Sequence, residues 1–145
     1  MFLVDTNVIS SLAPNRSEAE RPVADWLSEA SPWLYMSSVT VAEVIFGIER
    51  AERQGALVKA RRLRAWWVEL EQTYQDRILP LDKTAAHALG VLRDRARAAN
   101  PEFEDLAIAA TAQTRGLTVL TRNLRHFEVF GVPVIDPFKS PPALG

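Results

Sequence analysis

Phe2-Leu-Val-Asp-Thr-Asn-Val-Ile9 is the stretch on which the reading of this chain turns. Three apolar residues run directly into an acid, a hydroxyl and an amide. A short, uninterrupted apolar run such as Phe2–Val4 fits a strand buried on both faces. Asp5-Thr6-Asn7 carries helix-capping chemistry, so the backbone is expected to pass from strand to helix at Asp5. One or two helical turns follow over Val8–Leu12, and Pro14 stops them.

The same alternation recurs down the chain. A helix is expected over Ser17–Ala30, with Val23, Trp26 and Leu27 on one face. Trp33–Met36 reads as a second short strand leading into Ser37 and Ser38. The next helix sets Val41, Val44, Ile45 and Ile48 at the spacing of an apolar stripe, and Gly55 interrupts it. A helix over Leu57 to Gln75 carries Trp66, Trp67 and Leu70. Arg77–Leu81 reads as an edge strand, because Pro80 has no N–H for a ladder. Lys83–Ala99 and Asp105–Arg115 are helical, separated by a turn at Asn100-Pro101, and Gly116 closes the second. Leu117–Thr121 and Val132–Ile135 are the last strands. Short strands alternating with helices predict an α/β domain of βαβ units around a mostly parallel sheet. Ligands in such sheets bind beyond the carboxyl ends of the strands.

Composition bounds the function. The 145 residues suit one domain and are 48% hydrophobic, ordinary for a globular chain. One domain is expected over residues 1–138, with the Pro-containing residues 139–145 as a surface tail. The absence of Cys excludes disulfides, thiolate zinc sites and a Cys nucleophile, and fits the cytoplasm. Two His are too few for a His-rich metal site. No basic leader and no apolar run of about 20 residues direct the chain to a membrane. A net charge of −1 gives no global field for nucleic acid, so such a partner needs a local patch.

Three acids stand at strand–helix junctions: Asp5, Glu43 and Asp105. Each has a purely structural reading. Asp5 could cap its helix, Thr40-Val-Ala-Glu43 fits a capping box, and Asp105 could favour a helix N-terminus through the dipole. Together they point elsewhere. Asp5 and Glu43 fall at the carboxyl edge of the sheet, and Asp105 joins them if its helix begins there. Clustered carboxylates repel, and a bound divalent cation is the usual offset. Oxygen-only donors select Mg²⁺ or Mn²⁺, ions that activate water and neutralise charge on a phosphate. The residues therefore point to metal-dependent chemistry on a phosphate-bearing substrate. Arg50, two helical turns beyond Glu43, is either a phosphate contact or a solvated charge. Residues 50–64 hold six basic side chains against one acid, either a phosphate-binding patch or a solvated helix face. Trp66 and Trp67 are adjacent on a helix and so belong to a core or an interface rather than to one stacking platform.

These motifs resemble those of the PIN-domain family. Phe2–Ile9 is similar to its opening, Thr40-Val-Ala-Glu-Val-Ile-Phe-Gly47 to its second acidic motif, and Glu104–Ala112 with Gly116–Asn123 to its third motif and following strand. The VapC-like and FitB-like toxins of type II toxin–antitoxin systems resemble the chain most. The resemblance implies a three-layer fold with a short parallel sheet of order 3-2-1-4-5. It implies an Mg²⁺-dependent ribonuclease, a homodimer, and inhibition by a cognate antitoxin. It carries catalytic and metal-binding roles to Asp5, Glu43 and Asp105. Thr6 would orient Asp5, and Asn123 would lie at the edge of the site. Glu102 and Glu104 stand close enough to share the role of Asp105.

One position departs from the pattern. Similar toxins often carry an acid where Leu124-Arg-His-Phe127 places His126, which removes the expected fourth carboxylate and weakens a second metal site. Two rival readings follow. The chain could be a weakened relic that only binds RNA or an antitoxin. It could instead be a phosphoryl-transfer domain acting through Asp5, although it lacks a second N-terminal acid and a clear lysine partner.

Overall fold

The computed structural model describes residues 1–145. Five strands form one parallel sheet: β1 (Phe2–Val4), β2 (Leu34–Ser37), β3 (Ile78–Leu79), β4 (Thr118–Leu120) and β5 (Val134–Ile135). Their order across the sheet is β3-β2-β1-β4-β5, with β3 at an edge as Pro80 requires. Seven α-helices connect them: α1 (Thr6–Ile9), α2 (Arg21–Ala30), α3 (Ser38–Arg53), α4 (Leu57–Tyr74), α5 (Lys83–Arg95), α6 (Phe103–Arg115) and α7 (Leu124–Glu128).

Strand alternation divides the core into two layers. Leu3 and Val119 face Leu89 and Leu92 of α5 and Leu106 and Ile108 of α6. Their neighbours Val4 and Leu120 face Val8, Leu27 of α2, Ile48 of α3 and Trp67 of α4, together with Leu34 and Met36. A register slip of one residue would exchange the two sets, so both layers fix the pairing. Leu3 lies opposite Val119 and Val4 opposite Leu120. Extending this ladder by one residue brings Asp5 beside Thr121.

Several details differ from the sequence reading. The second strand starts at Leu34, because Ser31–Trp33 forms a 3₁₀ turn containing Pro32. The stripe on α3 is only partly core. Ile48 is buried, but Ile45 is exposed and Phe46 is 60% exposed. Helical periodicity names a face without naming what covers it. The helix α7 carries no clear sequence signal, being five residues long and without a side-chain cap. The residues at the end of the chain lie on the surface and touch the domain at a few points. Phe138 and Leu144 pack on the core, and Trp26 Nε1 donates to the Pro142 carbonyl at 3.1 Å.

Candidate active site

Parallel strands deliver their carboxyl ends to one edge, and the helices bring the acids there. Asp5 follows β1 directly, and α3 leaves the same edge after β2. The helix α6 descends to Gly116, whose left-handed φ of 64° turns the chain into β4. Its N-terminus, with Asp105, therefore starts at the carboxyl edge, which the sequence left open.

Asp5 is held from three sides. It is the N-cap of α1, and one carboxylate oxygen accepts the Thr6 backbone N–H at 2.8 Å. Its other oxygen accepts the Thr121 hydroxyl at 2.8 Å and the Asn7 amide at 3.0 Å. Asn7 is in turn fixed by the Arg122 backbone N–H, which donates to its Oδ1 at 3.2 Å. The capping and functional readings of Asp5 thus coexist in one carboxylate.

Glu43 does not form the capping box that Thr40-Val-Ala-Glu43 suggests. The helix begins earlier, at Ser38, and Ser37 is its N-cap, accepting from Val39 N–H at 3.1 Å. Glu43 consequently sits in the second turn. Thr40 is buried, and its hydroxyl has no hydrogen-bond partner. Glu43 instead reaches α1, where its Oε1 accepts the Thr6 hydroxyl at 2.7 Å. Thr6 therefore links two acids, orienting Asp5 through its backbone N–H and Glu43 through its side chain.

Asp105 is the third residue of α6 rather than its first, since the helix begins at Phe103. Its Oδ2 lies 3.2 Å from His126 Nδ1, so the histidine that replaces an expected acid rests on one of the remaining acids.

The three carboxyls share an electrostatic signature. Burial pushes Asp5 above the ordinary carboxylate range despite its donors from Thr121, Thr6 and Asn7. Burial likewise raises Glu43, the Thr6 hydrogen bond opposes this, and the charges of Asp5, Glu104 and Asp105 raise it further. Asp105 is raised by burial and by the charge of Asp5, against the pull of His126. Each acid is thus partly desolvated and within the field of another. These hard oxygen donors suit a small divalent cation, which relieves that repulsion. No group of three acid or histidine side chains stands close enough together to hold a metal ion between them, so an ion here would rest on fewer direct protein ligands and complete its shell with water or phosphate.

The PIN domain family matches residues 2–131. The chain belongs to that family.

This PIN domain is 37% identical to the plasmid stability protein StbB of Pseudomonas syringae pv. tomato, over 97% of the chain and all of StbB. It is 32% identical to the VapC ribonuclease Y4jK of Sinorhizobium fredii, over 96% of the chain and 99% of that protein. It is 34% identical to toxin FitB of Neisseria gonorrhoeae, over 95% of the chain and 99% of FitB. Among solved structures, FitAcB from Neisseria gonorrhoeae superposes with a TM-score of 0.77 at 33% identity, covering 95% of this chain and 99% of that one. DNA-bound VapBC from Salmonella typhimurium gives 0.74 at 30% identity, covering 93% and 96%. The sheet order and flanking helices of the PIN fold are those described above.

The other residues named from sequence fall around this edge in different ways. Asn123 precedes α7, and its backbone N–H donates to Thr121 Oγ1 at 3.0 Å, but Asn7 is the amide that contacts Asp5. Arg50 borders a cleft that also contains Thr6, Glu43 and Gly47. A Cβ on Gly47 would meet nothing within 4 Å, so the glycine lines open space. Glu102 and Glu104 act on Asp105 and Glu43 through their charge. Trp67 is buried, whereas Trp66 borders the cleft. Sequence reasoning missed Thr121 and Asn7 as the partners of Asp5. The signal for Asn7 lay in Asp5-Thr6-Asn7, but that for Thr121 needed the register of two strands far apart in sequence. No helix is long and apolar enough to cross a membrane.

Proposed function

We propose that this PIN domain is a metal-dependent ribonuclease, the toxin of a toxin–antitoxin pair. The observation that carries the reading is the convergence of Asp5, Glu43 and Asp105 at the carboxyl edge, with Thr6 coupling the first two. The VapC and FitB names of its relatives support it. Asp5 and Asp105 would be the principal holders of Mg²⁺, directly or through water, with Mn²⁺ as a substitute, and Glu43 would complete the cluster. The ion, when bound, supplies positive charge against the scissile phosphate and lowers the pKa of nearby water. Asp5 stays fixed through Thr121, Asn7 and Thr6, so its orientation needs no rearrangement during reaction. Glu43 is basic for a carboxylate and free at one oxygen, so it takes the proton of the attacking water. An oxygen–phosphorus bond then forms as the bond to the leaving oxygen breaks, and that oxygen takes up a proton from solvent water to leave as a hydroxyl.

The test is incubation of pure protein with mixed RNA, with Mg²⁺ or EDTA, beside Asp5→Asn. Cleavage that requires both Mg²⁺ and Asp5 is the expected result. Metal-dependent cleavage at full rate by Asp5→Asn would overturn the mechanism. His126 on Asp105 favours a second reading, a weakened domain that binds RNA or antitoxin without turnover. A folded protein that binds RNA but cleaves nothing at any Mg²⁺ or Mn²⁺ level would select it. With one carboxylate replaced, calorimetry should find one tight Mg²⁺ site in the free protein, and two would contradict this account.

The assembly is part of the same reading. An antitoxin partner is supported by the relatives FitAcB and VapBC. A homodimer is the assembly that the family resemblance implies, and it is proposed here on that ground. Sedimentation of the pure protein should give the mass of two chains, and a single species of monomer mass would remove the dimer.

A further inference from the structure

A groove leaves the acidic edge between the loop after α1 and the corner where α3 meets α4. Its inner part is a cleft of about 220 Å³ bordered by Glu43, Asn15, Arg50, Lys59, Leu63 and Trp66. A second hollow of about 390 Å³ continues it toward Arg62, and Asn15, Lys59 and Leu63 border both. Because Glu43 and Thr6 border the inner part, the groove opens directly onto the carboxylates.

Charge and shape define what it takes. Several arginines elsewhere are already engaged: Arg64 by Glu49 and Glu52, Arg115 by Asp82, and Arg122 by Glu20. Arg50, Lys59 and Arg62 make no ion pair within the chain. The acids of that corner, Glu49 and Glu52, are both turned to Arg64. A row of unmatched cations therefore starts beside a cluster of acids in a protein of net charge −1. That arrangement suits a strand whose reacting phosphate meets the carboxylates while its next phosphates meet the cations. Trp66 offers an aromatic surface, and Asn15 an amide that both donates and accepts. Unpaired bases can lie against such a surface, whereas bases inside a duplex cannot.

We infer that this groove seats the single-stranded RNA segment flanking the scissile phosphate, with Arg50 and Lys59 on its phosphates and a base against Trp66 beside Asn15. Arg62 meets the backbone further out. The inference rests on the ribonuclease reading and extends it to how the substrate is held.

The test uses a short fluorescein-labelled single-stranded RNA of mixed sequence, with Asp5→Asn protein so that nothing is cleaved. Adding Arg50→Ala and Lys59→Ala should weaken binding about tenfold or more, and the log–log salt slope should fall by about 0.7 for each phosphate left without its cation. Removing Arg21 and Arg97, which lie elsewhere and are ion-paired, should change neither. Trp66→Phe should retain affinity that Trp66→Ala loses. Thermal melts verify that each variant is folded. Unchanged affinity and salt slope in the Arg50/Lys59 variant would overturn the inference. So would the Arg50/Lys59 substitutions if, placed in the protein with Asp5 intact, they left RNA cleavage at the full rate, since the groove would then serve another ligand. Wild-type cleavage with no groove effect leaves the ribonuclease reading standing and sinks the groove; a groove effect without wild-type cleavage does the reverse.

Discussion

Asp5 and Asp82 stand in the same local position, the N-cap of α1 and of α5, and each accepts a first-turn backbone N–H. Their surroundings differ. Asp82 is partly exposed, and the Ala85 N–H together with Arg115 holds its carboxyl below the usual range. Asp5 is only 5% exposed, and burial pushes its carboxyl above that range. A second pair repeats the contrast. Ser17-Glu18-Ala19-Glu20 forms a capping box, and the Ser17 N–H holds Glu20 low. Thr40-Val-Ala-Glu43 has the same pattern but forms none, and burial raises Glu43. One member of each pair stabilises the fold as a charge, and the other is charged against the preference of its site. Groups of the second kind are kept for chemistry rather than stability.

The largest effect expected from this contrast is catalytic. Glu43→Gln should lower RNA cleavage by about a hundredfold or more while leaving circular dichroism unchanged. Glu20→Gln should leave the rate alone. If both reduce cleavage equally, the separation between the two motifs fails.

Next is the support of Asp5. Thr121→Val removes a buried hydroxyl that donates to Asp5, so the carboxylate loses a charge-assisted hydrogen bond. Denaturant unfolding should show a loss of about 1–2 kcal/mol, with a lower cleavage rate. Full stability and full rate would remove Thr121 from the account.

A smaller pair of effects has opposite signs. Thr40→Val replaces a buried hydroxyl without a partner and should stabilise by about 1 kcal/mol. Glu20→Ala breaks a formed capping box and should destabilise by about 1 kcal/mol. Equal destabilisation by both would mean that Thr40 caps after all.

Much of the frame is legible in residues 2–9 and the alternation that follows. Sheet order follows from the family resemblance. The edge position of Asp5 follows from the strand–helix junction. What escapes the sequence is set by packing over distance. Thr121 becomes the partner of Asp5 only through the β1–β4 register. Which of two Ser/Thr-x-x-Glu motifs caps a helix depends on where α3 starts, and Ser37 takes that role from Thr40. In sequence His126 is a replacement for an acid, and only folding α7 against α6 places it on Asp105.

The most direct test of the central claim is the thermal stability of Asp5→Asn and Asp82→Asn relative to wild type between about pH 2 and pH 8. A carboxyl raised in the folded state costs the fold stability as pH rises through its folded pKa, so the melting temperature of Asp5→Asn should gain on wild type as pH rises above the ordinary Asp range. A carboxyl lowered in the folded state contributes stability above its unfolded pKa and loses it as pH falls through its folded one. Asp82→Asn should therefore fall behind wild type as pH rises, with the change confined to the acid end, at and below the ordinary Asp range. Opposite pH slopes of the two differences are the predicted result. The same slope for both substitutions would show Asp5 to be an ordinary helix cap and would contradict the account.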